Sequence, residues 1–283
     1  MPGEYEKRGY LLEDYRYFHL RDERCPEVDT HYHEFYKLTY LLSGHGSYMI
    51  EGRWYRIEPG DLVIVRRGEV HRPEIETDRP YERIILYLSS DFFRAAFADD
   101  PIQESFARSQ GHVIRSSKSF SKRLRTHFDT VEKELSSDEP GARSMARAVV
   151  IAALVEILRV LLSSAFETLT AEPGDEKVQA ILRYLNEHIT EDVAIDALSE
   201  RFYISKYHMM RRFREETGVP IHAYLAEKRL LLARELIASG CSATDACYRS
   251  GYQSYSSFSR AYRKRFASSP TGRVNVYTGS VIE

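Results

Sequence analysis

The sequence predicts an α+β protein in which an antiparallel β-barrel precedes a helical region. Three observations predict this division of the 283-residue chain. Between residues 14 and 90, apolar and polar residues alternate as they do in β-strands. From Asp91 onward the apolar residues recur at helical spacing. Near the C-terminus, one helical pattern occurs twice at an offset of 49 residues.

The strand region is divided by glycine-containing turns. These are "SGHGS" at 43–47, "EGRW" at 51–54, "EPGD" at 58–61 and "RRGE" at 66–69. Such stretches mark tight reversals between short strands. An antiparallel sandwich or barrel, which we assign to residues 1–105, is the predicted architecture.

The middle of the chain is predicted to be helical. The stretch "DFFRAAF" begins at Asp91, a second helix covers about 120–135, and a long third helix covers about 142–168. The third helix is apolar on more than one face, which exceeds what a surface helix needs for burial. Two uses remain open for that surplus, a contact between subunits or burial against the barrel. We assign 106–170 to a helical connector that forms a homodimer.

The stretch "TAEPGD" at 170–175 predicts a linker, and residues 175–283 are assigned to a separate domain. Within it, two short helices are predicted at 190–201 and 242–250. Each is followed by a turn and a second helix, which begins at Ser205 or at Ser254. Serine suits the N-cap position of both second helices.

Charge is distributed unevenly along a chain whose formal net charge is -2. From Lys206 to Arg273 there are 13 lysines and arginines against 5 acidic residues, a net charge of +8, so the remainder carries -10. The C-terminal part is therefore a basic module on an acidic body, which favours a polyanionic partner for that part alone.

The sequence gives no sign of secretion or of a membrane span. Cys25, Cys241 and Cys247 form neither a CxxC pair nor a disulfide framework. The N-terminus lacks the apolar core of a signal peptide. The longest apolar run, 148–155, has 8 residues, whereas a membrane helix needs about 20. We expect a cytoplasmic protein with no membrane partner.

The two copies of the helical pattern agree in their caps, buried positions and arginines. When "SKYHMMRRFREETG" from Ser205 is set over the stretch from Ser254, four pairs match: Met209 with Phe258, Phe213 with Tyr262, Arg211 with Arg260, and Arg214 with Arg263. In a helix-turn-helix, the polar face at the start of the second helix enters the DNA major groove. Two such helices on successive grooves would lie about 34 Å apart.

Residues 178–274 resemble the DNA-binding domain of the AraC/XylS family of bacterial transcription regulators. The resemblance is carried by "SKYHMMRRFREETG", "RLLLA" at 229–233, Gly251-Tyr252 and "SFSRAYRKRF" at 257–266. The chain departs from the family pattern at Ala267, where glycine is usual, at "TGRV", and at the small Ala243 and Ala246. The resemblance implies that promoter DNA is a partner, and RNA polymerase also if the regulator is an activator.

By this resemblance, seven residues occupy base-facing positions: Tyr207, Met210, Arg211, Tyr255, Ser256, Ser259 and Arg260. Arginine can bind guanine in a bidentate manner, and apolar side chains can contact the thymine methyl group. For Arg211 and Arg260, a phosphate-bound or solvated role remains open. Four further residues are expected to contact phosphates, or else to form a solvated face: Lys206, Arg212, Arg263 and Lys264.

In the N-terminal half, "HYHEFYKLTYLLSGHG" and "EPGDLVIVRRGEVH" resemble the two motifs of a cupin, a small jelly-roll barrel. The spacing of His31, His33, Gly44, Gly60 and His71 fits that pattern. The chain has a lysine, residue 37, where metal-binding cupins typically have glutamate, and an arginine, residue 66, where proline is common.

Three interpretations of the histidines remain open. They could line a small-molecule pocket together with Lys37 and Arg66, they could hold a divalent metal through His31, His33 and His71, or they could be structural. An ammonium group beside a dication would repel it. Basic donors among imidazoles favour an anionic or hydroxyl-rich effector, such as a sugar or an organic acid, because these donors need acceptors.

The sequence as a whole predicts a DNA-binding transcription regulator controlled by a small-molecule effector in the barrel. We predict no catalytic residue and no cofactor that DNA binding requires. The alternative is a metal-dependent cupin enzyme with a helical appendage. The lysine at position 37 and the net charge of +8 in the C-terminal segment both weigh against that alternative.

Overall fold

The structure is a computed structural model that describes residues 11, 13–23, 28–76, 78–98, 100–103, 106, 111–115, 117–163, 169, 171 and 174–271. The chain divides into two compact units, Met1–Gly174 and Asp175–Glu283. The division falls within the stretch "TAEPGD". None of the helices among the described residues combines the length and apolar character that crossing a bilayer requires.

The first unit contains eight strands among its described residues. They are β1 (Tyr15–Asp22), β2 (Tyr36–Ser43), β3 (Gly46–Ile50), β4 (Arg53–Ile57), β5 (Asp61–Val65), β6 (His71–Ile75), β7 (Tyr81–Leu88) and β8 (Val113–Arg115). They form a five-stranded sheet in the order β1-β7-β2-β5-β8 and a three-stranded sheet in the order β4-β3-β6. All pairs are antiparallel.

The antiparallel β-fold predicted for the N-terminal half is confirmed, but the predicted closed barrel is not. Within the described residues no strand ladder joins one sheet to the other, so the arrangement is cupin-like and open. The tight reversal after β3 follows from its turn, where Glu51 and Gly52 have φ angles of 49° and 70°. A two-residue turn with positive φ at both residues matches the right-handed twist of the two strands that it connects.

The five-stranded sheet is buried on both faces, which explains why β5 reads as a continuous apolar run. Leu62 and Ile64 belong to a core shared with the helices. Val63 and Val65 belong to a second core, which includes Tyr48 of β3 and lies between the two sheets. Successive side chains point to opposite faces of a strand. Odd-numbered residues at this end of β5 therefore face the sandwich interior.

Three helices cover the outer face of the larger sheet: α1 (Ser90–Ala96), α2 (Lys118–Leu135) and α3 (Ala142–Leu162). Phe120, Leu124 and Phe128 of α2 and Leu154 and Ile157 of α3 join the sheet core. The strand β8 lies inside the range 106–170 for which we predict a helical connector, and it pairs with β5.

The long helix α3 ends earlier than predicted. Its last residue is Leu162, and Ser163 already has an extended conformation; residues 164–168 lie outside the described part of the chain. One face of α3 is buried against the sheet and α2, while Met145 and Leu162 on the outer face are 53% and 43% exposed. Burial against the sheet thus accounts for only part of its apolar surface.

The second unit consists of six helices within the described residues: α4 (Glu176–Glu187), α5 (Ile195–Arg201), α6 (Lys206–Thr217), α7 (Ile221–Ala238), α8 (Ala243–Arg249) and α9 (Tyr255–Phe266). Helices α5 and α6 form one helix-turn-helix, α8 and α9 form another, and α7 connects them.

The predicted start of α5 at Thr190 is wrong, because the helix begins at Ile195. The guanidinium group of Arg229 on α7 donates to the carbonyls of Ile189 and Glu191, at 2.8 and 2.6 Å. These contacts hold the residues before α5 in a turn against α7. The predicted bounds of α8 agree with the structure, in which Ser242 is the N-cap and accepts from the N–H of Asp245.

The repeat inferred from the sequence is present in the fold. Helices α6 and α9 each have 12 residues and begin 49 residues apart. The matched pairs Met209 with Phe258 and Phe213 with Tyr262 are buried in both copies. Ser205 and Ser254 occupy the N-cap positions, but neither side chain caps its helix within the described residues.

Candidate functional site

We call α6 and α9, the second helices of the two helix-turn-helix units, the reading helices. The first of them, α6, presents an exposed surface opposite its buried face. Tyr207 is 76% exposed and Met210 is 44% exposed. Together with Arg211 and Arg214 they line a surface groove. The guanidinium of Arg211 is 3.8 Å from Glu215 on the next turn, and such exposed pairs add little to stability. Arg211 is therefore available to a ligand at this surface.

Two of the predicted phosphate-contacting residues of α6 make ion pairs within the unit. Lys206 pairs with Asp196 on α5. The Nε atom of Arg212 is 2.5 Å from Oδ2 of Asp175, whose side chain is only 4% exposed. Asp175 is also the N-cap of α4 and accepts from the N–H of Lys177 and Val178. Arg212 thus ties the reading helix to the first helix of the unit.

The predicted readers of α9 differ in their exposure. Ser256 and Arg260 are exposed, and Arg260 donates back to the carbonyl of Ser256 at 3.4 Å. Tyr255 packs on Phe258, with ring centroids 5.9 Å apart, and contributes to the local core. Ser259 is half-buried.

The predicted phosphate-contacting residues of α9, Arg263 and Lys264, lie in its last turn. Both are exposed, and among the described residues neither makes an ion pair. They differ in this respect from Lys206 and Arg212.

In the first unit the structure brings the three predicted histidines together. The ring centroids are 4.2 Å apart for His31 and His71, and 4.7 Å apart for His33 and His71. The backbones of His31 and His71 exchange two hydrogen bonds, of 3.1 and 2.9 Å. These bonds hold the segment before β2 against the start of β6.

Each of these imidazoles uses its Nδ1 atom in the same way. Nδ1 lies 2.8 Å from the Asp29 carbonyl in His31, 2.7 Å from the Phe35 carbonyl in His33, and 3.0 Å from the Glu69 carbonyl in His71. A carbonyl only accepts, so Nδ1 carries the hydrogen, and Nε2 of a neutral ring is left as an acceptor. The Nε2 atoms of His33 and His71 are buried with no hydrogen-bond partner among the described residues.

The environment keeps both buried histidines neutral. Burial is the largest cause that lowers the pKa of His33 and His71 well below the usual range, and the positive charge of Lys37 lowers both further. The hydrogen bonds to the Phe35 and Glu69 carbonyls raise the pKa but do not offset burial. Two unprotonated nitrogen lone pairs therefore lie inside the unit.

Lys37 points into the space between the two sheets. Its cross-strand neighbour on β5 is Val65, a member of the core between the sheets, and its neighbour on β7 is Tyr87. Cross-strand neighbours share a face. The ammonium lies 5.9 Å from the centroid of the Tyr48 ring, and burial lowers its pKa. Among the described residues, no group accepts a hydrogen bond from it or forms an ion pair with it.

Arg66 belongs to a different cluster. Its Nη1 is 3.2 Å from Nδ1 of His112 and 3.6 Å from Glu69, and its Nη2 donates to the Gly111 carbonyl at 3.0 Å. Its guanidinium lies over the ring of Phe106, 5.2 Å from the centroid. The positive charge that lowers the pKa of His33 and His71 is that of Lys37. Lys37, not Arg66, is the cation of the histidine cluster.

Sequence reasoning missed several aromatic residues of this cluster. Phe35 stacks on His33 with centroids 4.1 Å apart, Tyr48 stacks on His71 at 6.2 Å, and Tyr87 lies 6.1 Å from His33. The period-two pattern of β2 places Thr39 on the same face as Lys37. The alternation along β2 can be read from the sequence. The strand pairings that bring Tyr48 and Tyr87 to the cluster cannot.

The cluster does not form a complete metal-binding group in its present geometry. Among the described residues, no set of three or more histidine, cysteine, aspartate or glutamate side chains is arranged to hold a metal ion. The two buried Nε2 atoms have the chemistry of imidazole ligands. The ammonium of Lys37 nearby opposes a dication electrostatically.

Two helix-turn-helix units and an N-terminal sandwich with buried polar groups define a class, the ligand-responsive DNA-binding regulators. Comparison with known families agrees. Residues 16–154 match the AraC-like ligand binding domain, and residues 198–272 match a helix-turn-helix domain. The chain belongs to the AraC/XylS family of transcription regulators, which confirms the family and the class of function predicted from the sequence.

Individual relatives span nearly the whole chain. The HTH-type transcriptional activator RhaS of Escherichia coli O139:H28 is 30% identical over 255 residues, which cover 88% of this chain and 89% of the relative. RhaS of Escherichia coli O81 is 29% identical over 255 residues with the same coverage. Among solved structures, ToxT from Vibrio cholerae O395 is 12% identical, covers 94% of this chain and 99% of its own, and has a TM-score of 0.36.

Proposed function

We propose that the effector of this regulator binds between the two sheets of the first unit, against Lys37, His33 and His71. One observation carries the proposal: within the described residues, the ammonium of the buried Lys37 has no acceptor, and it lies near two buried Nε2 atoms that have no donor. A buried polar group left unpaired costs about 1 to 3 kcal/mol. A ligand that forms hydrogen bonds with the ammonium and with both Nε2 atoms would recover that cost. It would therefore bind more tightly than a ligand that leaves any of the three unpaired.

The hydrogen-bonding pattern selects the class of effector. Lys37 donates only, whereas Nε2 of His33 and of His71 accept only. A carboxylate could satisfy Lys37, but its lone pairs would face those of the imidazoles. A hydroxyl group both accepts and donates, so adjacent hydroxyls satisfy the lysine and both histidines. Of the two classes that the sequence left open, a hydroxyl-rich molecule such as a sugar is therefore favoured over an organic acid.

A divalent metal is the second candidate, because Nε2 atoms of neutral histidines are common metal ligands. The Nδ1 contacts to carbonyls would orient the rings as such a site requires. The third predicted ligand, His31, is partly exposed at the edge of the cluster. The charge of Lys37 disfavours this candidate.

Thermal unfolding of the full chain with three probes distinguishes these candidates. A panel of pentoses, hexoses and polyols should raise the unfolding midpoint, and a straight-chain dicarboxylate at the same concentration should not. Stabilisation by the dicarboxylate alone would refute the hydroxyl-rich class. Zn²⁺ bound at one equivalent, and lost in His71→Phe, would select the metal.

On the DNA side, we propose that Tyr207, Met210 and Arg211 of α6 contact base edges, as do Ser256, Ser259 and Arg260 of α9. Tyr255, whose ring packs on Phe258, is proposed to make the same kind of contact. A footprint on promoter DNA should then cover two half-sites about 10 base pairs apart. Protection of a single major groove would contradict the two-reader arrangement.

We also propose that the chain acts as a homodimer through the outer face of α3. Met145 near the start of α3 and Leu162 at its end are both exposed, and their burial between subunits is the basis of this proposal. Analytical ultracentrifugation of Met145→Glu should give a monomer if this face is the interface.

We propose that the protein recruits RNA polymerase if transcription from its promoter rises when the protein binds.

A further inference from the structure

The turn before the first reading helix contains a tyrosine in a strained conformation. Tyr203 has a φ angle of 49° and its side chain is 91% exposed. This left-handed region costs a non-glycine residue of order 1 kcal/mol. Counted from the end of the supporting helix, the corresponding residue of the second copy is Gly251, with a φ angle of 88°, and the second turn is one residue longer than the first. Tyr203 and Gly251 each lie two residues after the end of the supporting helix, α5 or α8.

The two turns differ in the space around this residue. A Cβ atom on Gly251 would lie 2.9 Å from Cα of Thr190 and 3.0 Å from Nε of Arg229, so the second copy has no room for a side chain. The first copy leaves that direction open to solvent. Among the described residues, neither the ring nor the hydroxyl of Tyr203 makes a hydrogen bond or an aromatic contact. The fold of the unit therefore gives no reason for a tyrosine where glycine would be less strained.

The position of the turn suggests a reason outside the protein. In a helix-turn-helix the first helix crosses the DNA backbone and the second enters the groove. The turn that joins them consequently lies at the edge of the groove, beside the phosphates. Tyr203 lies two residues before Ser205, the N-cap of α6. Tyrosine hydroxyls are among the groups that donate to DNA phosphates.

A cation lies next to the same turn. The ammonium of Lys177, an exposed residue near the start of α4, donates to the main-chain carbonyl of Tyr203 at 3.2 Å. An ammonium has three donors, so it can bind a phosphate while keeping this contact. We propose that Tyr203 and Lys177 together bind a backbone phosphate at the edge of the first half-site. In the second turn position 251 is glycine, and the next residue, Tyr252, packs its ring on Phe258 with centroids 5.4 Å apart, so the second reader lacks this contact.

This phosphate contact would be made by the first helix-turn-helix and not by the second. It adds affinity at the first half-site and carries no base information, since phosphates are the same for every sequence. Removing the tyrosine should therefore weaken matched and scrambled DNA by the same factor. Replacement by glycine should also relieve backbone strain, so that variant would be more stable and bind more weakly.

Four full-length variants test the proposal by DNA binding at several salt concentrations and by thermal unfolding. Tyr203→Phe removes only the hydroxyl, and Tyr203→Gly removes the whole side chain together with the strain. We expect both to lose affinity about fivefold, the effect of one hydrogen bond, and only Tyr203→Gly to unfold at a higher temperature. Lys177→Ala should make the salt dependence shallower by about one phosphate. Ala267→Gly relieves the same kind of strain after α9 and should leave affinity unchanged.

The competing explanations give different results. If Tyr203→Phe and Tyr203→Gly bind DNA as tightly as the unmodified chain, Tyr203 does not contact DNA. If either variant changes the preference for particular bases, the residue acts through the reading helix and the phosphate assignment is wrong. Ethylation interference should reveal one phosphate of the first half-site whose ethylation weakens binding of the unmodified chain but not of Tyr203→Gly. If every phosphate that is sensitive with the unmodified chain is equally sensitive with Tyr203→Gly, Tyr203 does not contact a phosphate.

Discussion

His33 and His71 lie edge to face with their ring centroids 4.7 Å apart, and each directs Nδ1 to a main-chain carbonyl. Their buried Nε2 atoms have no partner among the described residues. The pair is consequently an uncharged acceptor site held inside a sandwich, next to the ammonium of Lys37. Its protonation state should affect both the stability of the unit and the affinity for an effector.

The stability of the protein should fall when the pH drops below about 6.5, the pKa of histidine in an unfolded chain. The folded-state pKa of both histidines is lowered, so below that pH the unfolded chain binds protons that the native state does not. Each histidine then removes about 1.4 kcal/mol of unfolding free energy per pH unit, until the pH reaches the folded pKa.

Urea unfolding between pH 7.5 and 5.5 measures this slope. His71→Gln should make it shallower, while His222→Gln, at an exposed position of α7, serves as the control. An unchanged slope in His71→Gln would mean that His71 does not stay neutral in the native state.

Replacing Lys37 should stabilise the protein and abolish its response to the effector. Lys37 is buried, its ammonium has no partner among the described residues, and burial lowers its pKa. An apolar side chain of similar length removes that desolvation cost, so we expect Lys37→Met to gain about 1 to 3 kcal/mol of unfolding free energy. Lys122→Met makes the same change at an exposed position of α2 and should shift stability by less than about 0.5 kcal/mol. A less stable Lys37→Met protein would reveal an acceptor for the ammonium inside the unit.

The sequence predicted this site only in part, for a physical reason. His31 and His33 are two residues apart and Lys37 follows on the same segment, so their proximity is local. His71 lies on a distant segment, and the resemblance to the two cupin motifs grouped it with them without predicting the pairing of His31 with His71. The separation of Arg66 from this cluster depends on Gly111 and His112, which β8 brings to β5 from more than 40 residues away. No periodicity in the sequence encodes that pairing.

The helical unit was more predictable because its signals are local and repeated. The cap, the buried positions and the left-handed C-cap recur at an offset of 49 residues in α6 and α9. What the repeat did not predict is the role of Arg212. Its charge is indistinguishable in sequence from that of Arg211, yet its guanidinium contacts the buried carboxylate of Asp175.

Arg211 and Arg212 should therefore respond differently to truncation. Arg212→Ala leaves the Asp175 carboxylate without its cation and should lower the unfolding free energy by about 1 to 2 kcal/mol. Arg211→Ala should leave stability within about 0.5 kcal/mol and relax base preference at one or two positions of the first half-site, at about 1 to 3 kcal/mol of discrimination. Unfolding curves and binding to single-base variants of the site measure the two effects. If Arg212→Ala keeps full stability, the ion pair with Asp175 is not stabilising.

Lys264→Ala is the matched change for a phosphate contact, because this lysine is exposed on α9 and makes no ion pair within the described residues. It should weaken matched and scrambled DNA equally and reduce the salt slope by about 1. If Arg211→Ala behaves in the same way as Lys264→Ala, Arg211 is a phosphate contact and not a base reader.

Ala267→Gly should stabilise the second reading unit. Both reading helices end with a residue in the left-handed region: Gly218 with φ 74° after α6, and Ala267 with φ 52° after α9. In each copy the N–H of that residue donates to the carbonyl four residues earlier, at 2.8 and 2.9 Å. The hydrogen bond of the cap is thus the same, and only the second copy has a Cβ that the left-handed conformation disfavours. Relief of that strain should raise the unfolding free energy by about 1 kcal/mol. Gly218→Ala should lower the unfolding free energy by a similar amount.

Denaturant unfolding of both variants measures these changes. A destabilised Ala267→Gly protein would show that the methyl group of Ala267 makes a contact that stabilises the protein by more than the strain costs.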